Sequence, residues 1–366
     1  MKLSKEDTKV MKGVALWMMF AHHLFPFQDR IAPGNEFLPL IKIGSTNLAY
    51  IIGHAGKLCV AIYLFLSGYG LYFTIIKNGR FSLGDVFKRL KKLYINYWVI
   101  LFIFVPIGFA MGVKVFNMKE FMGNFFAYKL TYNGEWWFLK LYIQLIIVFP
   151  IMNKIICKNP WVSFAIIFIF SRLGETVTLV VNANPNLVFL NSNDIYLDFI
   201  SLLHWQPIFF MGCLFAKFNL FNEMNKIFKK IKLHNRLVYI AILVLIVAIR
   251  FKMADLTFKS MRYDYLFAPI YVYVTINILK GKNIRRIFVF LGNHSTNMWL
   301  THSFLCYQYI QSIVYRPKLP ILIMVWLTIL LIPISFGINK IISMIQIIES
   351  KIVKKFYEFK NAEIEA

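Results

Sequence analysis

Three ionisable side chains stand in the first apolar run of the chain, KGVALWMMFAHHLFP: Lys12, His22 and His23. A charged group in hydrocarbon is costly and usually faces a cavity or a partner, so an intramembrane Lys with an imidazole is a place to look for chemistry. At about 100° per residue, the steps from Lys12 to His23 make three turns plus about 20°. The two therefore share a helix face, about 16 Å apart along the axis, while His22 is turned about 80° from Lys12. The pair offers a fixed cation at one end and, at the other, an imidazole suited to act as general base or acyl-accepting nucleophile. The plainer alternative is a Lys reaching back to the interface and a His bonded to a neighbouring helix.

Other segments could contribute. In VFKRLKKLYINYW, Arg89, Lys91 and Lys92 (with Lys88) precede an apolar run. The cluster is either an ordinary cytoplasmic basic loop or an anion site for a donor carrying several phosphates. LGNHSTNMWLTHSFL places His294, Ser295, Asn297 and His302 in a late apolar run, where polar residues often bind helices together. In NGEWWFL, Glu135 precedes Trp136 and Trp137. That is either an interfacial aromatic belt or a carboxylate beside a stacking platform for a sugar. FLSGYG allows close helix approach at Ser67 and Gly68 but is not the GxSxG turn of a serine hydrolase. Lys57 and Lys140 read as cavity-facing or snorkelling.

These residues need elements to hold them. The chain has 366 residues, 59% hydrophobic and 17% aromatic, with mean hydropathy +0.61, well above soluble domains. It reads as an all-α, polytopic transmembrane bundle in one membrane-embedded domain over residues 1–366. About ten apolar runs can cross a bilayer: 10–27, 48–75, 93–113, 134–152, 161–181, 199–216, 237–251, 264–279, 290–314 and 319–348. With both termini cytoplasmic, the inside segments hold roughly twice the Lys and Arg of the outside ones. The net charge of +24 is thus that of a positive-inside membrane protein, and no basic segment is long enough to grip nucleic acid. Cys59, Cys157, Cys213 and Cys306 lack metal or disulfide spacing and read as small hydrophobes, so no metal is expected. No small-residue cleavage site follows the first run, which reads as an uncleaved span.

Together the segments resemble the acyltransferase-3 family of integral-membrane acyltransferases. That family's first span carries Arg or Lys, ten residues, then His, here Lys12 and His23. YLFLSGYGL stands for the phrase ending its second span. RLKKLYINYW supplies the basic pair, Arg89 and Lys92, followed by Tyr97 and Trp98. WFL is Trp137 to Leu139, and LGNHSTNMWLTH closes at His302. Lys12 and Lys92 stand where Arg is commoner, and Ile95 where Pro is usual. Lys keeps the charge but not the bidentate fork.

The resemblance implies transfer of an acyl group, usually acetyl from acetyl-CoA, to a hydroxyl of an extracytoplasmic or lipid-linked carbohydrate, in a cell membrane of bacterial inner-membrane type. On this reading Arg89, Lys91 and Lys92, with Lys12 nearby, hold the coenzyme A phosphates. His23 is the general base or acyl carrier, and His302 or Glu135 orients it or the sugar. Asn297 or helix-end amides meet the thioester oxyanion, and Trp136 and Trp137 face the acceptor. A proton-coupled transporter or flippase is the alternative, against which stands the lack of paired repeats.

Overall fold

The computed structural model describes residues 2–154, 158–254 and 263–365. Cys157, read above as a small hydrophobe, lies outside them. Helices α1 (Lys5–Leu24), α2 (Leu48–Gly56), α3 (Leu58–Asn78), α4 (Leu83–Ala110), α5 (Met118–Phe125), α6 (Trp137–Met152) and α7 (Pro160–Ala183) form the first part of the chain. Helices α8 (Asp194–Lys217), α9 (Leu220–Lys230), α10 (Arg236–Ala254), α11 (Asp264–Leu279), α12 (Ile284–Ser303), α13 (Gln311–Tyr315) and α14 (Pro320–Glu365) complete it. Among the described residues, six helical segments are long and apolar enough to cross a membrane, α2 and α3 counting as one. The protein is an all-α membrane protein. Its single sheet among the described residues is a hairpin, Lys42–Ile43 antiparallel to Thr46–Asn47.

Local signals set the helix ends. Ser4 and Asp7 form a capping box that starts α1, Ser82 and Asp85 another that starts α4, and Gly79, with φ 75°, closes α3. Each apolar run read from the sequence falls on a helix, but two runs are interrupted. The second breaks at Lys57, between α2 and α3. The ninth passes from α12 into a wider π-helical turn, Phe304–Tyr309, and only then into α13.

Two seams hold the bundle through glycine. A Cβ on Gly68 of α3 would sit 1.9 Å from the Phe209 carbonyl oxygen of α8, and one on Gly212 would sit 2.0 Å from that of Phe65. Across α1 and α12, a Cβ on Gly13 would lie 2.2 Å from the Phe288 oxygen and one on Gly292 1.9 Å from that of Lys9. Helices approach this closely only where a side chain is missing. Arg285 at the start of α12 adds ion pairs to Glu6 and Asp7 of α1, at 2.8 and 2.7 Å. Away from the seams, Ile169, Ile195 and Val244 are exposed, as a lipid-facing surface requires.

Candidate functional site

A cavity of about 580 Å³ opens between α1, the α2–α3 break, the start of α6, α8 and α12. Lys12 lines it beside Tyr63, Ser67 and Ser295, and His22, His23, Arg30, Glu135 and Trp137 also form its wall. Such a volume is typical of small-molecule sites.

Glu135 sits on a 3-10 turn, Gly134–Trp136, fastened to α12. Asn133 Oδ1 accepts from the Glu135 amide at 3.1 Å, and the Asn133 amide donates to Ser303 Oγ at 2.8 Å. Trp136 Nε1 donates to the Leu300 carbonyl at 2.9 Å. The turn thus presents its carboxylate to the cavity. Arg30 clamps one oxygen, Nη1 to Glu135 Oε1 at 2.8 Å, with its guanidinium 4.3 Å from the Phe27 ring centre and 5.4 Å from that of Tyr307.

The other oxygen of Glu135 lies 3.5 Å from His23 Nδ1. The Tyr307 hydroxyl donates to the His23 carbonyl, so its oxygen accepts from His23 Nδ1 at 3.2 Å. Both partners of Nδ1 are therefore acceptors, and Nδ1 carries the proton. The opposite nitrogen, Nε2, is left as the basic atom. The π-helical turn is what brings Tyr307 there; such turns recur at functional sites.

His302 packs behind His23, with ring centres 4.9 Å apart. It is fully buried, its Nδ1 donates to the Trp299 carbonyl at 2.7 Å, and its Nε2 is buried without a partner. His302 does not line the cavity. Trp136 does not either: its ring packs in the core against Tyr97 and Phe304. Trp137 does line it, against Trp205.

The basic cluster lies beside the cavity rather than in it. Arg89 donates to Thr74 Oγ1 at 3.0 Å. Arg89 and Lys92 are near enough for their charges to bear on Lys12. Lys91 points elsewhere and pairs with Glu349 of α14. Asn297 is committed to other work, since its amide donates to Ser335 and Asn339 and its oxygen accepts from Asn96. The break at Lys57 instead brings the first residues of α3, Cys59 and Val60, to the cavity wall. Lys57 lines the cavity as well, whereas Lys140 pairs with Asp198.

The sequence names His22 but turns it from Lys12, and it singles out neither Arg30 nor Tyr307. His22 also lines the cavity, although ideal helical phase turned it away from Lys12. The space is wide enough to take both imidazoles, whose centres are 5.3 Å apart. Arg30 and Tyr307 carry no motif, and only the fold joins Arg30 to a carboxylate 105 residues away.

Neither the curated proteins nor the solved structures gave a match to the chain. An acyltransferase domain, that of the acyltransferase-3 family, matches residues 7–340, which takes in every cavity residue named above, and the chain belongs to that family.

Proposed function

We propose that this membrane acyltransferase moves an acyl group, acetyl on the resemblance given above, from cytoplasmic acyl-CoA to a hydroxyl of an extracytoplasmic or lipid-linked carbohydrate. The observation that carries the reading is His23. It lines the cavity, holds its Nδ1 proton toward Glu135 and Tyr307, and so keeps Nε2 as a base. Nε2 takes the proton of the acceptor hydroxyl as its oxygen bonds to the thioester carbonyl carbon. Glu135 stabilises the imidazolium that results. The tetrahedral intermediate then breaks its carbon–sulfur bond, and the imidazolium returns the proton to the thiolate. The products are the ester and coenzyme A. The amide end of α3 at the cavity wall is suited to meet the oxyanion.

Lys12, with Arg89 and Lys92 beside it, supplies the positive end that a phosphate-bearing donor needs. Trp137 is the aromatic surface for the sugar ring. His302 and Trp136 support these groups from behind. In this reading residues 1–366 form one domain crossing a cell membrane ten times with both termini inside, as the Lys and Arg distribution favours. Family membership speaks for transfer rather than transport.

Purified protein incubated with radiolabelled acetyl-CoA tests the reading. It should bind the donor and hydrolyse or transfer the acetyl group, and His23→Ala should bind without turnover. A His23→Ala protein with wild-type turnover would remove His23 from the chemistry.

A further inference from the structure

The mechanism leaves one cavity imidazole without work. His22 Nδ1 lies 3.0 Å from the carbonyl oxygen of Gly53. A carbonyl only accepts, so Nδ1 carries the proton and Nε2 of the neutral ring is an acceptor. This lock is built into the backbone. In an unbroken helix the Gly53 carbonyl would accept from the amide of Lys57. Here the Lys57 amide turns to His54 and Ala55, and the freed carbonyl takes His22. Two glycines allow the approach. A Cβ on Gly53 would lie 2.8 Å from the Ala21 oxygen, and one on Gly56 2.4 Å from the Met18 oxygen. The break at Lys57 and the glycines of α2 thus fix the tautomer of His22.

His22 and His23 therefore stand side by side in one cavity wall, each with its proton fixed on Nδ1. Neither Nε2 has a hydrogen-bond partner among the described residues, and neither is sealed off as that of His302 is. Two neighbouring acceptors call for a ligand with two neighbouring donors. Hydroxyls on adjacent carbons of a sugar provide them, and two imidazoles with ring centres 5.3 Å apart can each face one. The thioester group itself has no hydrogen to give, and the pantetheine amide nearest it offers one donor rather than two.

Resting on the acyl-transfer reading, we infer that the acceptor presents a pair of hydroxyls on adjacent carbons. The reacting one goes to His23 and its neighbour donates to His22 Nε2. His22 is a substrate-positioning residue, and it selects which hydroxyl of the pair is acylated.

Two isosteres separate this role from packing. Asn at position 22 can keep the bond to Gly53 and offers nothing at Nε2. Gln can place an oxygen near Nε2 and gives up Gly53. Membranes carrying the full chain are supplied with radiolabelled acetyl-CoA, and the acetylated sugar position on their glycans is mapped by NMR. The expected result is acetylation next to a free hydroxyl. In His22→Asn the apparent KM for acceptor should rise about five- to tenfold, the worth of one neutral hydrogen bond, with a more mixed acetyl position and an unchanged KM for acetyl-CoA. His22→Gln should stay within about threefold of wild type. The inference is overturned if the acetylated carbon has no hydroxyl neighbour, if His22→Asn matches wild type, if the change falls on acetyl-CoA, or if Asn and Gln lose activity equally at normal abundance. Absence of any labelled glycan with the wild-type protein would instead count against acyl transfer to sugars.

Discussion

The α1–α12 seam and the α3–α8 seam close by the same device, glycine against a facing carbonyl, and both reach the cavity, yet only the first carries the Lys12 cation and the two imidazoles. The α3–α8 seam is regular and apolar. Gly68 and Gly212 let Phe65 and Phe209 bring their backbones together, and the rings of Phe65, Phe215 and Phe221 fill the space around them. The α1–α12 seam is flanked by interrupted helices. The break at Lys57 lies on one side and the π-helical turn at Phe304–Tyr309 on the other. Each interruption frees or redirects a polar group onto a histidine: the Gly53 carbonyl onto His22 and the Tyr307 hydroxyl onto His23. Tight packing gives rigidity in both places. Departure from regular helix, braced by that rigidity, gives the site its hydrogen-bonding groups.

The largest way to break the comparison is at His23. His23→Ala should lower acyl transfer by about 10²–10⁴-fold, the usual share of a general base, at unchanged abundance in the membrane and unchanged melting temperature. Loss of abundance in step with activity would place His23 among the packing residues. The opposite signature belongs to the other seam. Gly68→Leu meets a backbone carbonyl that cannot yield, so it should destabilise the bundle by about 1–3 kcal/mol or more. The check is a fall in melting temperature in detergent, with donor affinity preserved in whatever protein remains folded.

Tyr307→Phe is a smaller test. It removes the acceptor at His23 Nδ1 and the donor to the His23 carbonyl, but leaves Glu135 in place. Turnover should drop about fivefold, as expected for a hydrogen bond of about 1 kcal/mol. An unchanged turnover number would show that Glu135 alone fixes the imidazole and that the π-helical turn serves packing.

The sequence made the helices legible because their signals are local. Capping boxes at Ser4 and Ser82, the left-handed Gly79 and long apolar runs each act within a few residues. The Lys12–His23 alignment was legible for the same reason, and so was the close approach at Gly68. The breaks were not. No proline marks Lys57 or Phe304, and what makes an interruption tolerable is a partner on another helix. The split between Trp136 and Trp137 was hidden too. Two adjacent residues of one type sit where a 3-10 turn becomes α6, and that change of winding sends one ring into the core and the other to the cavity. His22 was visible but set off the Lys12 face by ideal phase, which decides which residues share a line but not how wide a cavity is.

The smallest expected effect sharpens the comparison on the basic cluster. Arg89 and Lys92 are three apart and share a side of α4, toward Lys12, whereas Lys91 is about 100° away from Lys92 and pairs with Glu349. That pair is well exposed, with both side chains over 40% accessible, and exposed pairs contribute about 0–1 kcal/mol. Lys91→Ala should therefore change neither stability nor acetyl-CoA affinity by more than about threefold, and raising the salt should erase what difference there is. Lys92→Ala removes a charge that bears on the cavity, so it should weaken donor binding more, and Arg89→Ala should do so as well. Isothermal titration of the three variants with coenzyme A gives the order. If Lys91→Ala cost as much affinity as Lys92→Ala, the donor phosphates would have to spread round α4 toward α14. The charge that matters would then lie outside the polar seam.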